Sequence, residues 1–251
     1  MKNIIQGLWI GKSLSLMEQL SIKSFLANGH EYHLYVYRKV KNVPRNTVIK
    51  DANEILPEQM IFKYRDKEHE GGFSGFSNLF RYKLLSEKGG FGVDLDVVCL
   101  KNWDFDASYV FATERSYRKK PDSICAGIIK APQASDFIKE CYESANSMDI
   151  KTLRFRQNGM FLLHSLIEKY ELKRYVASPD VFCPIDHWEW IKFIDQNLDF
   201  SISEKTYGIH LWHELWRLAM KNIINRLLRK IDSNILYGEK TLYGRLQRMY
   251  L

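Results

Sequence analysis

Asp94 and Asp96 are separated by one residue, Leu95, and lie between two apolar runs, 91–93 and 97–100. In an extended chain, residues i and i+2 point the same way, so both carboxylates face one side of a strand end. Two hard oxygen donors so placed can hold Mg²⁺ or Mn²⁺ and leave positions open for phosphate oxygens. A cation there could neutralise a departing diphosphate. An isolated D-x-D is most often a pair of turn or surface acids. The apolar flanks set this pair at the edge of a core, where an uncompensated carboxylate is costly and a cationic partner is expected.

The surrounding elements read as alternating strands and helices. Residues 4–10 form an apolar run closed by Gly11, a first buried strand. Residues 15–28 read as a helix capped by Ser15 or Ser13 and stopped by Asn28-Gly29. Residues 32–37, rich in Tyr and Val, read as a second strand. Strand, helix, strand at this spacing predicts a βαβ unit and a parallel sheet. Residues 41–70 are polar and punctuated by Pro44 and Pro57, and read as loops with one short helix. A glycine-rich stretch (Gly71, Gly72, Gly75) leads to a helix over 77–88, with Ser77 as its cap and Gly89-Gly90 as its stop. The strand 91–93 then delivers the acid pair. Further strands are expected at 110–113, 124–129 and 175–177, and further helices at 133–146 and 160–169.

The fold class is therefore α/β, a Rossmann-like mixed sheet flanked by helices. The chain of 251 residues is 45% hydrophobic and 14% aromatic, enough for a sizeable core and against intrinsic disorder. No run approaches the ~20 apolar residues of a membrane-spanning helix, and the N-terminus does not read as a secretory signal, so a cytoplasmic location is expected. Cys99, Cys125, Cys141 and Cys183 are scattered without a CxxC pair and read as reduced, buried residues.

The net charge of +7 is concentrated at one end: residues 210–251 carry eight Lys/Arg against three Asp/Glu. With the remainder nearly balanced, a nucleic-acid partner is not expected. Trp212, Leu215, Trp216, Ala219, Ile223, Leu227 and Ile231 recur at three- and four-residue steps. Arg217, Lys221, Arg226, Arg229 and Lys230 occupy other angles, predicting a basic amphipathic helix. Such a helix could lie on an anionic membrane surface, or pack on the domain or a dimer partner. The expected division is a catalytic domain over 1–209 and a C-terminal helical segment over 210–251.

The run FSNLFRYKLLSEKGGFGVDLDVVCL, residues 76–100, resembles the DXD block of glycosyltransferase family 32: S-D-x-x-R, a helix, G-G, an aromatic and D-x-D. Residues 4–37 are similar to the family's opening strand and helix, and YGIHLWHELWR, residues 207–217, to its C-terminal H-x-W element. The D-x-D spacing also occurs in haloacid-dehalogenase-type phosphatases. Their motif lies near the N-terminus and continues with Thr, whereas here Val97 follows and the motif is deep in the chain.

The resemblance implies a GT-A fold and a retaining, metal-dependent transfer of a hexose or N-acetylhexosamine. The implied donor is a nucleotide-sugar, a UDP-sugar or alternatively GDP-mannose. The implied acceptor is a glycan hydroxyl, as on a lipid-linked oligosaccharide of capsule or O-antigen synthesis at the inner face of the cell membrane. A non-catalytic sugar-binding module is the competing class. On the same resemblance, Asp94 and Asp96 hold Mn²⁺ or Mg²⁺ with His210 completing the metal shell, His213 being the alternative. Asp94, Asp96 and Arg81 are the expected catalytic residues. Trp9, Gly11, Asn78, Arg81 and Asp94 line the donor site: Trp9 against the base, Arg81 facing the sugar or phosphates, and Asn78 in place of the family's Asp. The loops 157–159 and 184–190, the second with Asp186, His187, Trp188, Glu189 and Trp190, are expected acceptor walls.

Overall fold

The computed structural model describes residues 4–65, 69, 71–117, 122–198, 200–221 and 231–251. A six-stranded mixed sheet runs through the molecule in the order β3-β2-β1-β4-β7-β6. Its strands are β1 (Ile4–Trp9), β2 (Glu31–Val36), β3 (Val48–Asp51), β4 (Gly90–Val93), β6 (Val110–Glu114) and β7 (Ser123–Ala131). β1, β2, β3 and β4 are parallel, whereas β7 runs antiparallel to both β4 and β6. A separate two-stranded ribbon pairs β5 (Val97–Cys99) with β8 (Gly208–His210). The expected Rossmann-like mixed α/β architecture is present.

Helices cover both sheet faces. α1 (Leu16–Ala27) begins with a capping box: the Ser15 hydroxyl accepts from Met17 N, and Glu18 accepts from Ser15 N at 2.6 Å. It packs Met17, Leu20, Ile22 and Phe25 against Ile5, Leu34, Phe91 and Val97. On the opposite face, α2 (Ser74–Lys88), α3 (Asp136–Asn146) and α4 (Leu162–Lys169) bury Phe76, Phe80, Phe137 and Leu163 against Tyr35, Phe111 and Ile129. Leu34 and Tyr35, and likewise Val110 and Phe111, go to opposite layers, the period-two alternation of strands covered on both sides.

Several expectations change. Residues 41–70 contain an edge strand, β3, which its short, half-exposed sequence did not announce. α2 begins one turn earlier than expected, at Ser74, so Ser77 is an internal residue rather than the cap. It stops at Gly89 (φ 65°), where a Cβ would meet Gln133 N at 2.6 Å. Residues 175–177 contribute one isolated bridge, Phe111 to Val176, after a 3₁₀ turn over Lys173–Tyr175.

The short α5 (Pro179–Phe182) precedes the C-terminal elements, α6 (His213–Lys221) and α7 (Leu242–Tyr250). The helix expected to continue to Ile231 cannot be followed, because residues 222–230 lie outside the described ones. The tryptophans do not face outward as a lipid-binding stripe requires. Trp216 is fully buried against Trp190, Tyr237 and Tyr243, and the Trp212 Nε1–H donates to Ile185 O at 3.0 Å. Both join the core of the α1 face, with Leu242 and Leu246 of α7. Burial of two large aromatic rings outweighs their exposure on an amphipathic surface. Among the described residues, no helix is long and apolar enough to cross a membrane.

Candidate active site

Strand order alone locates a crevice. The chain leaves β1 toward β2 on one side, while β4 pairs with β1 on the other. In open α/β sheets, ligands bind beyond the carboxyl ends of strands at such a switch point. Trp9 ends β1, and Asp94 follows β4 directly.

Asp94 is set from two sides. Its N–H donates to Gly127 O at 2.8 Å, tying it to β7. Its Oδ1 accepts from the Arg81 guanidinium, which also donates to Ala126 O at 2.7 Å and to Asn78 Oδ1 at 3.0 Å. Arg81 is buried and lines neither of the two cavities described below. It holds Asp94 and Asn78 in place. Asn78 Nδ2 in turn reaches Asn158 Oδ1 at 3.4 Å, and Asn158 Nδ2 donates to Gly75 O at 2.8 Å. Burial raises the Asp94 pKa above the ordinary carboxylate value and Asp96 adds to the rise, against the opposing charge of Arg81.

Asp96 has different partners. Its Oδ2 accepts from His213 N at 2.8 Å and lies 3.2 Å from His210 Nε2. The β5–β8 register, which sets Val97 opposite His210, brings that imidazole to the acid pair. Burial acts to raise the Asp96 pKa, but His210 and the His213 N–H override it and hold the carboxyl well below its usual range. The reciprocal effect lifts His210 well above its ordinary value despite burial. The His213 ring turns instead to Glu18, a buried carboxylate, with Nδ1 3.5 Å from Oε1. Oxygens of Asp94 and Asp96 and a nitrogen of His210 all fall within 4.8 Å of one another.

The acid pair stands on a wall common to two cavities. The first, about 910 Å³ of empty space, reaches Glu114, Cys125, Arg156, Gly159, His187 and Trp212. The second, about 1070 Å³, reaches Trp9, Gly71, Gly72, His213 and Arg217. Asn78, Asp94, Asp96 and Glu214 border both. Gly11 borders neither; a Cβ there would meet the Trp9 ring at 2.8 Å, so its bareness lets the indole lie across the chain. Of the expected acceptor walls, Gly159 and His187 reach the first cavity, whereas Asp186 pairs with Arg115, Glu189 with Lys192, and Trp190 packs on Trp216.

Sequence reasoning passed over three residues here. Glu114 ends β6 in the cavity wall, 7% exposed, with Arg156 Nη2 at 3.4 Å and His187 Nδ1 at 3.7 Å. Burial pushes its carboxyl up to about 7. An acid ending an apolar strand, as in the D-x-D itself, was the available signal. Gly127 gives way to the pair: a Cβ would meet Asp94 Oδ2 at 2.8 Å and His210 Cε1 at 3.2 Å. A glycine inside a strand is the usual mark of such close approach. Arg156, at φ 68°, carries no sequence signal for its place; like Trp212 at φ 61°, it is a strained non-glycine residue on the first cavity's wall.

Residues 17–117, from α1 through the acid pair and past β6, match the family described as glycosyltransferase sugar-binding region containing DXD motif. This part of the chain resembles a DXD-type glycosyltransferase. Among solved structures, the chain is similar to the PaToxG glycosyltransferase at 12% identity and a TM-score of 0.48, covering 99% of this chain and 85% of that one. It is also similar to the apo-form glycosyltransferase GlyE of Streptococcus pneumoniae TIGR4, at 11% identity and a TM-score of 0.37, over 70% of this chain and 44% of that one. No curated protein sequence matches the chain.

Proposed function

We propose that this protein is a glycosyltransferase that moves a hexose or N-acetylhexosamine from a UDP-sugar to a hydroxyl of a glycan acceptor, with Asp94, Asp96 and His210 holding Mn²⁺ or Mg²⁺. The supporting observation is the position of the acid pair on the wall between two cavities, one ending at an indole and one at a buried carboxylate. The residues fit a hard cation: two carboxylates and an imidazole converge, and a backbone N–H orients Asp96 in advance. When bound, such an ion supplies the positive charge that stabilises a departing diphosphate.

The protein's own groups divide the remaining work. Trp9 offers a flat apolar face to the nucleobase, and its buried Nε1 makes no hydrogen bond among the described residues. Arg217, ion-paired with Glu214, adds a cation beside the Gly71-Gly72 turn, on the side where the diphosphate would lie. Asn78, facing both cavities, is placed for a donor-sugar hydroxyl. Glu114, Arg156 and His187 would bind hydroxyls in the first cavity. Same-face attack accounts for retention, with a diphosphate oxygen taking the acceptor's proton. The acceptor we infer is an oligosaccharide, in its lipid-linked form a substrate of bacterial surface-polysaccharide synthesis. With Trp212 and Trp216 in the core, contact with anionic lipid would fall to basic side chains.

A donor panel tests this reading. UDP-glucose, UDP-galactose, their N-acetylhexosamine counterparts and GDP-mannose are each incubated with Mn²⁺ or with chelator, and released nucleotide is measured. Turnover of one UDP-sugar, dependent on the metal and abolished in Asp96→Ala, is expected. Activity retained in Asp96→Ala overturns the metal role, and turnover of GDP-mannose alone replaces the donor.

A further inference from the structure

The two ring nitrogens of His210 keep different company. Nε2 faces Asp96 Oδ2 at 3.2 Å, whereas Nδ1 faces Cys125 Sγ at 3.4 Å. Cys183, just after α5, brings a second sulfur to the same place, so that Cys125, Cys183 and His210 converge within 4.8 Å from three elements far apart in the chain. Their exposures are 5%, 0% and 7%, and both thiols are free. We propose that Cys125, Cys183 and His210 Nδ1 form a binding site for a thiophilic divalent ion of the zinc class, distinct from the oxygen-rich pair Asp94 and Asp96.

Three observations carry the assignment. The donor set is soft: two sulfurs and an imidazole select Zn²⁺ over Mg²⁺ or Mn²⁺, which prefer oxygen. The donor number is right, because two Cys and one His with an open fourth position is a known tetrahedral zinc arrangement. Cys125 and His210 both line the first cavity, which leaves that position open to water or another ligand. Finally, the outer partner is already in place. A metal-ligating histidine characteristically donates its other N–H to a carboxylate, which fixes the tautomer and turns the lone pair to the metal. Asp96 stands opposite Nε2 in that role. The other two cysteines lack this setting: Cys99 Sγ donates to Lys101 O, and among the described residues neither Cys99 nor Cys141 joins a metal-ligating group.

One consequence rests on the proposed role of the acid pair. An ion on Nδ1 commits the proton to Nε2, so the same imidazole cannot offer an Nε2 lone pair to a hard cation beside Asp94 and Asp96. Zinc would then weaken Mn²⁺ binding through His210.

Cobalt(II) titration of the reduced, metal-free protein tests the site without any substrate. We expect a thiolate-to-cobalt charge-transfer band and intense visible d–d bands that saturate at equimolar metal, displaced by Zn²⁺ but not by Mg²⁺. Cys183→Ser and Cys125→Ser should each weaken binding ~10-fold or more and lose the charge-transfer intensity of one thiolate. Asp94→Asn and Cys99→Ser should keep the full band. X-ray absorption on the cobalt-loaded wild type should count two sulfur neighbours, a measurement that stands even where a serine variant fails to fold. Absence of the band in the wild type, its full survival in Cys183→Ser, or a coordination sphere of oxygen and nitrogen only overturns the proposal. None of these outcomes depends on nucleotide-sugar turnover, so failure here is separable from failure of the donor panel.

Discussion

Gly127→Ala isolates the geometry of the acid pair from the stability of the fold. Gly127 sits inside β7 and is not among the glycines with positive φ, so the strand backbone accepts alanine. Alanine also loses less backbone freedom on folding than glycine does, which slightly favours the variant. The new Cβ would stand 2.8 Å from Asp94 Oδ2, roughly 0.6 Å inside ordinary contact. Asp94 cannot retreat freely, because Oδ1 is held by Arg81, itself anchored on Ala126 O and Asn78. The carboxylate must therefore swing toward the cavity mouth. Catalytic groups need placement within ~0.5 Å, and a ~1 Å error costs about 100-fold. A displacement between these values predicts a loss of about 10- to 30-fold in kcat/KM, or roughly 1.4–2 kcal/mol. Mn²⁺ affinity by isothermal titration should weaken in parallel, while the far-UV circular dichroism melt stays within a few degrees of wild type. Activity within twofold of wild type at unchanged Tm would refute the steric argument, and a Tm collapse matching the activity loss would show that Gly127 serves the fold instead.

Removing Arg81 while keeping Asp94 should destabilise the protein. Loss of one partner of a buried pair costs about 3–5 kcal/mol, but the Asp94 side chain is 36% exposed, so the expected cost of Arg81→Met is about 1–3 kcal/mol. Asp94→Asn in the same chain should recover part of it in a denaturation-based double-mutant cycle; purely additive effects would show that the two groups are not coupled. In the metal-free protein, Glu114 makes stability fall as pH rises. Its carboxyl is pushed up to about 7 from 4.5, so the ionised form is disfavoured by folding, with no penalty below pH ~4.5 and the full one above pH ~7. Glu114→Gln should be more stable than wild type at pH 8, by up to about 3 kcal/mol, and no more stable at pH 4; a difference independent of pH would rule out the titration. Trp9→Ala should raise the donor KM ~10-fold with little change in kcat, as loss of binding shared by ground and transition states does; a fall in kcat at constant KM would place Trp9 in the chemistry instead.

The D-x-D announced itself because its acids interrupt two apolar runs, a conflict visible in one dimension. The α/β alternation and the Ser15 capping box were legible for the same reason: periodicity and capping depend on residues within a few positions of each other. β3 was hidden because an edge strand needs no continuous apolar run. What stands beside each carboxylate was decided by pairing across the sheets. The β4–β7 register sets Gly127 at Asp94, and the β5–β8 register gives Asp96 the imidazole of His210 while the His213 ring turns to Glu18. Two histidines three residues apart are equivalent candidates in sequence. Only strand pairing, between segments more than a hundred residues apart, distinguishes them. The same holds for Arg81, whose type suits phosphate but which pairs with Asp94, and for Cys125 and Cys183, two scattered apolar positions until the fold brings them to one imidazole. Local sequence sets which residues are costly to bury, whereas the long-range register sets which partner compensates each one.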